Sequence, residues 1–559
     1  MGFTMLLRIN IVATLLLITI LLALCAQFSS ANYLSAGSGH KKHLVKKSSA
    51  SHSIDLACQA SQYPDLCKSS LQANSNISEN AGAEEIIGAA MVLSSDKTTQ
   101  SYLHSKQLLN TSDNRNLTGA VKDCLEFLEG SIRYIAKSRT QQLNPRNIKD
   151  VKIWMSAALS HQYDCSSALK YVNTTQMVGR SMQELVIVMN FTSNALSMVD
   201  ALDTYGKDMV IWRPPKTERS SKLSSTADYS HHYNKIWDVL EVDDLVSDVT
   251  VSKDESSMSI QQAVNSAPDY SERRFVIRIK AGVYEEIVRI PPTKTNLMFV
   301  GDGMDRTVIT GSMRVPSLPG VPSTYDSATV AVNADGFLAR DIAFENAAGP
   351  VSQQAVALRV DSDLSAFYNC ALLGHQDTLY THTLRQFYRN CRIEGTVDFI
   401  FGNSAAIFEN CLILVRPRQV NASKGSSDAV TAHGRTDPAQ PTGFVFHNCT
   451  INGTEEYMKE YYSNPKIYKA YLGRPWKMYS RVIFMNSYLG ELIVPEGWMP
   501  WTGDFALDTL YYGEYQNYGP GAKVSGRVPW SNQIPKINAG KYSINSFIQG
   551  DEWLPATIN

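Results

Sequence analysis

The chain reads as two architectures in series: an all-α four-helix bundle over residues 54–204, then an all-β solenoid of parallel β-helix type over residues 240–559. Three observations lead there. An aromatic residue, one or two further residues, Asn and a small residue or Cys recur at Phe344–Ala347, Phe367–Cys370, Phe387–Cys391, Phe408–Cys411, Phe446–Cys449 and Phe484–Ser487. Their asparagines fall at 346, 369, 390, 410, 448 and 486, in steps of 23, 21, 20, 38 and 38, the spacing of a solenoid with one coil per repeat. The segments around them (AFYNCALL, IFENCLILV, VFHNCTI) are short and β-rich with no helical period between them, which favours a parallel β-helix over helical or leucine-rich repeats. The 38-residue steps imply coils with loops inserted near 417–443 and 454–471.

The repeat carries a pair of acids. Asp377 lies eight residues after Asn369, Asp398 eight after Asn390 and Gln354 eight after Asn346, so the three side chains are expected in one phase on successive coils. Neighbouring strands lie about 4.8 Å apart. Two carboxyls stacked at that spacing share a titration, with one pKa raised, and a protonated acid beside an ionised one is the arrangement acid–nucleophile chemistry needs. Turn aspartates capping a coil are the bland alternative. Asp398 argues against it, because it sits between Val397 and Phe399.

Composition is that of a globular protein, 44% hydrophobic and 19% charged over 559 residues with net charge −1. The charge is uneven: residues 1–240 hold 24 Lys+Arg against 19 Asp+Glu (+5), residues 241–559 hold 28 against 34 (−6). This predicts a basic N-terminal part resting on an acidic C-terminal part. No basic cluster is interleaved with aromatics, so nucleic acid is not an expected partner. Residues 9–26 form an apolar run behind Arg8 with small residues after it, read as a signal peptide over 1–31, an uncleaved membrane anchor being the alternative. Eight Asn-x-Ser/Thr sequons and, without Cys25, an even count of eight cysteines agree with export. No CxxC occurs and no His cluster has metal-ligand spacing.

Residues 32–53 are Ser/His/Lys-rich and expected to be disordered. Within 54–204, Ile148, Val151, Trp154, Met155, Ala158 and Leu159 recur at helical spacing, as do the apolar residues of VKDCLEFLEGSIRYI, and helices of this length predict an antiparallel bundle with those residues as core. Residues 205–239, polar and containing Arg213-Pro214-Pro215, read as a linker.

The motifs GVYEE (282–286), QAVA (354–357), GHQDTLY (374–380), DFIFG (398–402) and LGRPW (472–476) occur in the order seen in plant pectin methylesterases, and from 240 to 555 the chain resembles that family. Residues 54–204 resemble the pectin methylesterase inhibitor domain, four-cysteine pattern included. The resemblance implies a right-handed parallel β-helix that hydrolyses methyl esters of pectin in the extracellular cell wall as a monomer, without metal or other cofactor. It also implies an inhibitory N-terminal domain, and a separate inhibitor protein as a further partner. By motif match it makes Asp398 the nucleophile, Asp377 the proton donor, Gln354 and Gln376 oxyanion stabilisers, and Thr324, Arg474 and Trp476 substrate or catalytic-residue contacts. It also implies disulfides Cys391–Cys411, Cys58–Cys67 and Cys124–Cys165. These residue types fit ester cleavage: a nucleophile, a proton source for the leaving methoxide, neutral amide donors for the oxyanion, a guanidinium that holds the nucleophile ionised and a flat apolar face for a sugar.

The chain departs from the family in several places. His375 stands where Tyr is usual and reads as a tolerated substitution, an added titration near neutral pH being the alternative. His433 replaces a common Gln, and the linker has no dibasic-leucine site such as RRLL at which related proteins shed the N-terminal part. Two other functions compete with the esterase: a non-catalytic inhibitor acting through the helical part, and a pectin lyase or glycosidase. The second lacks the acidic calcium cluster a lyase normally uses.

Overall fold

The computed structural model describes residues 49–74, 76–110, 115–172, 175–219, 246–254, 257–315, 323–418 and 426–554. The expected signal peptide, residues 32–48 of the expected disordered stretch and residues 220–239 of the expected linker lie outside the described residues.

Four long helices, Ala83–Asn110, Arg115–Arg139, Ile148–Lys170 and Gln176–Tyr205, form the bundle, with two short ones, Ser49–Cys58 and Pro64–Gln72, ahead of them. The helical-period residues read from the sequence are buried as expected: Ile148, Val151, Met155, Ala158 and Leu159 are among them. Thr175 caps the last helix, its side chain accepting from the Val178 amide. Disulfides Cys58–Cys67 and Cys124–Cys165 tie the short helices together and the second long helix to the third.

The C-terminal part is a right-handed parallel β-helix of three sheets, which among the described residues hold eleven, seven and eight strands, all paired in parallel. A ladder of rings fills its interior. Phe367, Tyr388, Phe408, Phe446 and Phe484 stack on successive coils with centroids 4.8, 4.8, 4.6 and 4.4 Å apart and interplanar angles of 7–10°. Two residues after each ring the chain turns between sheets through an asparagine in the left-handed region, at Asn369, Asn390, Asn410, Asn448 and Asn486 with φ of 50–54°. Asn reaches this conformation at less cost than most side chains, and that explains the repeat.

The first copy of the repeat is misread from sequence. The corner equivalent to Asn369 is Asp341, also left-handed at φ 57° and hydrogen-bonded to the Asn369 amide. Phe344, by contrast, pairs with Leu372 in a different sheet. The actual step there is 28 residues, wide enough that a chance FENA one turn later fitted a 23-residue spacing better. In the third copy Tyr388 rather than Phe387 enters the ladder.

Cys391 and Cys411 are thiols, which corrects the expected disulfide. Cys370, Cys391, Cys411 and Cys449 each follow a corner asparagine and form a buried column. Neighbouring side chains in a parallel ladder point the same way, whereas a disulfide needs two Cβ atoms that converge. The Cys391 sulfur lies 3.4 Å from the Arg389 carbonyl and the Cys411 sulfur 3.4 Å from the Glu409 carbonyl. Burial pushes the Cys370 and Cys411 thiols up, away from the reactive thiolate.

Two boundary expectations also change. Residues 49–53, placed in the disordered stretch, begin the first helix, whose Ile54 and Ala57 are buried against the bundle. Residues 206–219 are no free linker: Trp212 is buried and donates to the Gly206 carbonyl at 2.9 Å, and Glu218 pairs with Arg481 at 2.8 Å and Arg435 at 3.7 Å. A polar segment can be fixed by one ring and one charge, which average composition does not register.

Two outcomes follow. Phe408→Ala, which opens the middle of the ring ladder, is expected to lower stability by about 3–5 kcal/mol in chemical denaturation. Thiol titration of the native chain is expected to find none of the four column cysteines reactive, and all four to react once the chain is unfolded without reductant.

Candidate active site and the domain that covers it

Asp377 and Asp398 lie directly opposite each other. The Asp377 amide donates to the Val397 carbonyl at 3.3 Å, and two residues on, Leu379 pairs with Ile400 and Tyr380 with Phe401. Both acids sit in the left-handed region, φ 63° and 54°, at the entrance to their strands, and both are buried. Gly402, the end of DFIFG, holds the following turn: a Cβ there would lie 2.0 Å from the Thr381 carbonyl oxygen.

Arg474 clamps Asp398 with two parallel bonds, Nε to Oδ1 at 2.8 Å and Nη2 to Oδ2 at 2.6 Å. Its guanidinium also lies over Trp501, 4.3 Å from the ring centroid. Burial raises both acids. For Asp398 the clamp opposes that rise, whereas Asp377 is driven well above the carboxylate range by burial and by the charge of Asp398, with Arg474 giving weaker relief. Of the two acids, Asp377 is thus the more strongly raised, and Asp398 is the one whose rise a guanidinium opposes directly.

Gln354 is one residue out of the expected phase. The Ala355 amide donates to the Gln376 carbonyl at 3.2 Å, so Ala355 faces Asp377 and Gln354 faces Gln376. The shift follows from the misread first repeat. It brings the two glutamines together as a row beside the acids. Thr324 lies in the loop before strand Val330–Val332, which pairs with the strand following Gln354. Trp476 rests against Gly434, where a Cβ would come within 2.9 Å of the indole.

Sequence reasoning missed the aromatic floor. Tyr380 and Phe401, each three residues after its acid, stack at 4.2 Å, and Trp476 meets Phe401 edge-on at 6.0 Å. Projecting the acids' own register forward would have found the first two. His375 is not a neutral-pH group: burial, with Arg416 nearby, takes it down to about 4. His433 is buried and structural, its Nδ1 accepting from the Arg481 amide at 3.1 Å.

The bundle packs on this floor. Phe127 meets Tyr325 at 4.6 Å and His382 at 5.8 Å, and Leu128 and Leu169 of the bundle share one apolar cluster with Tyr380, Phe401 and Trp476. Around that cluster runs a polar rim. Trp154 donates to Asp363 at 2.9 Å, Arg385 to Asp150 at 2.6 Å, Tyr325 to Glu126 at 2.6 Å and Asn403 to Ser160 at 2.8 Å, and Lys137 pairs with Asp335 at 2.9 Å. Asp123 of the bundle faces Asp326 of the β-helix. Burial and that neighbour push Asp123 up to about 8, so the two share a proton.

The expected basic-on-acidic docking is overturned. Residues 54–204 carry 13 Lys+Arg against 15 Asp+Glu, and the N-terminal excess of positive charge comes from segments outside them. At the contact the bundle supplies acids (Asp123, Glu126, Asp150, Asp164) at least as often as cations. Buried pairs of this kind add little net stability but penalise misfit strongly.

His161, Asp361 and His382 are the group among the described residues whose ligand atoms converge, within 4.8 Å of one another. Sequence spacing could not reveal it, since docking assembles it. His161 Nε2 lies 3.0 Å from both Asp361 oxygens, within direct hydrogen bonding, and His382 Nδ1 lies 3.4 Å from one of them, an ion-pair distance. Arg133 and Arg359 lie within electrostatic reach of the same carboxylate, which disfavours a further cation.

Fold and groove together define the class: an ester hydrolase on a parallel β-helix, carrying an inhibitor-type helical domain. The family model described as Pectinesterase matches residues 248–551, and that described as Plant invertase/pectin methylesterase inhibitor matches residues 52–198. Probable pectinesterase/pectinesterase inhibitor 64 of Arabidopsis thaliana is 48% identical over 512 residues, 90% of this chain and 85% of its own length. A pectinesterase/pectinesterase inhibitor of Prunus persica is 40% identical, covering 81% of this chain and 84% of its own. The solved pectin methylesterase from carrot superposes with TM-score 0.52 at 48% identity, covering 56% of this chain and 95% of that one. The chain belongs to the pectinesterase family, in the form that carries an N-terminal inhibitor-type domain.

A raised carboxyl pKa costs the folded state above the ordinary carboxylate pKa, because the unfolded chain ionises there and the folded chain does not. Asp377→Asn is therefore expected to be more stable than the parent at neutral pH, by about 1.4 kcal/mol for each unit of elevation. The difference should vanish as pH falls below about 4, as thermal melts across pH can check.

Proposed function

We propose that the chain hydrolyses methyl esters of pectin through the Asp377–Asp398 pair. The observation that carries this reading is the bidentate Arg474 clamp on one of two opposed buried acids, since it separates their protonation states. Asp398, ionised, attacks the ester carbonyl. The amides of Gln354 and Gln376 donate to the oxyanion, and Asp377 gives its proton to the departing methoxide, which leaves as methanol. Water then attacks the acyl-enzyme while Asp377 takes one of its protons, and Asp398 is released as carboxylate. Trp476, Tyr380 and Phe401 offer flat faces to the sugars, and Thr324 borders the same groove.

The same reading makes the bundle autoinhibitory, because the apolar cluster it forms with Tyr380, Phe401 and Trp476 occupies the ground a polysaccharide needs. A separate inhibitor protein would have to compete for that face. The apolar N-terminal run, the sequons and the bundle's disulfides support secretion to the cell wall, and the esterase acts as a monomer.

Methanol release from methylated pectin is expected to fall by about 10³-fold or more in Asp398→Ala, and retained activity would end the mechanism. In the full chain, Asp164→Lys sets an ammonium against His382 and Lys477. It is expected to raise methanol release at least several-fold, and no rise would count against closure of the groove by the bundle.

A further inference from the structure

The groove floor holds a second row of polar groups that the ester chemistry does not use. His382 and Asn403 come together from successive coils, the Asn403 main-chain amide donating to the His382 carbonyl at 2.9 Å, and Trp476 and Lys477 line the same cavity. A cavity lies where these residues meet the bundle, lined by His382, Asn403, Trp476 and Lys477 on one side and Tyr163 and Asp164 on the other. His382 belongs to strand Leu379–Thr383, whereas Asp377 lies in the left-handed turn before it, and neither Asp377 nor Asp398 lines the cavity beside His382. It therefore stands outside the reacting centre.

His382 is built as a fixed cation. Asp361 lies 3.4 Å from its Nδ1, and Asp361 is itself held by the Thr383 hydroxyl and by His161. Nε2 points into the cavity and meets Asp164 Oδ2 at 2.8 Å. One carboxylate is hydrogen-bonded at the ring's Nε2 and the other lies within ion-pair distance of its Nδ1. Burial pulls its pKa down, but Asp361 and Asp164 outweigh it and bring the group up to about 9. Asp361 belongs to the β-helix, so one of the two carboxylates stays beside the ring without the bundle.

The bundle's contacts along this row have the chemistry of a uronic acid. The Asp164 carboxylate sits on the imidazolium and within electrostatic reach of the Lys477 ammonium. The Ser160 hydroxyl accepts from the Asn403 amide at 2.8 Å. Lys477 lies 4.5 Å from the Trp476 ring and 4.7 Å from the Tyr163 ring, which caps the site as a sugar face would.

We propose that His382, Asn403 and Lys477, beside Trp476, form a subsite for an unesterified galacturonate residue, and that Asp164 and Ser160 of the bundle occupy it by imitating that sugar's carboxylate and hydroxyl. A methyl ester is neutral and cannot answer two cations, so the subsite selects a free carboxylate. The sugar it holds differs from the one whose ester is cleaved. This inference rests on the reading that the bundle closes the groove.

The test uses the full chain with unesterified trigalacturonate as probe, in an Asp398→Ala background so that binding is read by calorimetry without turnover. Asp164→Lys is expected to bind trigalacturonate at least tenfold more tightly than the chain with Asp164 intact. Adding His382→Gln should weaken that binding about tenfold, the usual effect of losing a charge-assisted hydrogen bond, and adding Lys477→Met several-fold. Lys477 is only partly buried, so that variant reports even if His382→Gln disturbs folding. With Asp398 restored, the same two substitutions should raise KM for partly de-esterified pectin more than for fully methylated pectin. Trigalacturonate affinity unchanged by Asp164→Lys, or by both floor substitutions, overturns the subsite. Tight trigalacturonate binding without methanol release from the Asp398 form leaves the subsite standing and faults the esterase mechanism.

Discussion

The register of two neighbouring strands is the constraint from which the site follows. The Asp377 amide donates to Val397 and the Asp398 amide to Ala429, so each acid is fixed to the next coil by its own main chain. Neither can move from the other without breaking the sheet. Two carboxyls in that position resist being ionised together, and the Arg474 clamp favours the ionised form of Asp398 over that of Asp377. That preference is set by strand register and one guanidinium, both parts of a rigid scaffold rather than a mobile loop.

The same regularity explains how one helical domain can cover the site. Outward-facing residues on successive coils form rows, and Tyr380 stacked on Phe401, with His382 and Asn403 beside them, gives the bundle its floor. The bundle meets that surface with side chains that are individually unlike a sugar, yet place an acid, a hydroxyl and a ring where the floor has a cation, an amide and an indole. Because the buried charges at this contact are costly unless matched, the docking gains specificity more than affinity. The Glu218 pairing with Arg481 and Arg435 extends the contact into the connecting segment.

Much of this was legible in the sequence, for identifiable reasons. The corner asparagines, the in-phase acids and the helical periodicity are local signals, and each corresponds to a feature of the structure. The repeat failed at its first copy, because Asp341 replaces Asn at the corner and a nearby FENA imitates the pattern. That slip put Gln354 in the acids' phase instead of opposite Gln376. The Cys391–Cys411 bridge failed because adjacency in a stack resembles bonding distance without the convergence bonding needs. His382, Asn403 and the His161–Asp361 contact were invisible, since they gain meaning only when residues some 200 positions apart meet. Charge totals misled for a related reason: the N-terminal excess lies outside the bundle, so a regional sum said nothing about the contact.

The account turns on Asp377 holding a proton while Asp398 does not. Infrared difference spectroscopy of Asp377→Asn against the parent chain at neutral pH measures this directly. The account predicts that the substitution removes a protonated carboxyl stretch and leaves the ionised carboxylate bands in place. Loss of an ionised carboxylate band instead would contradict it.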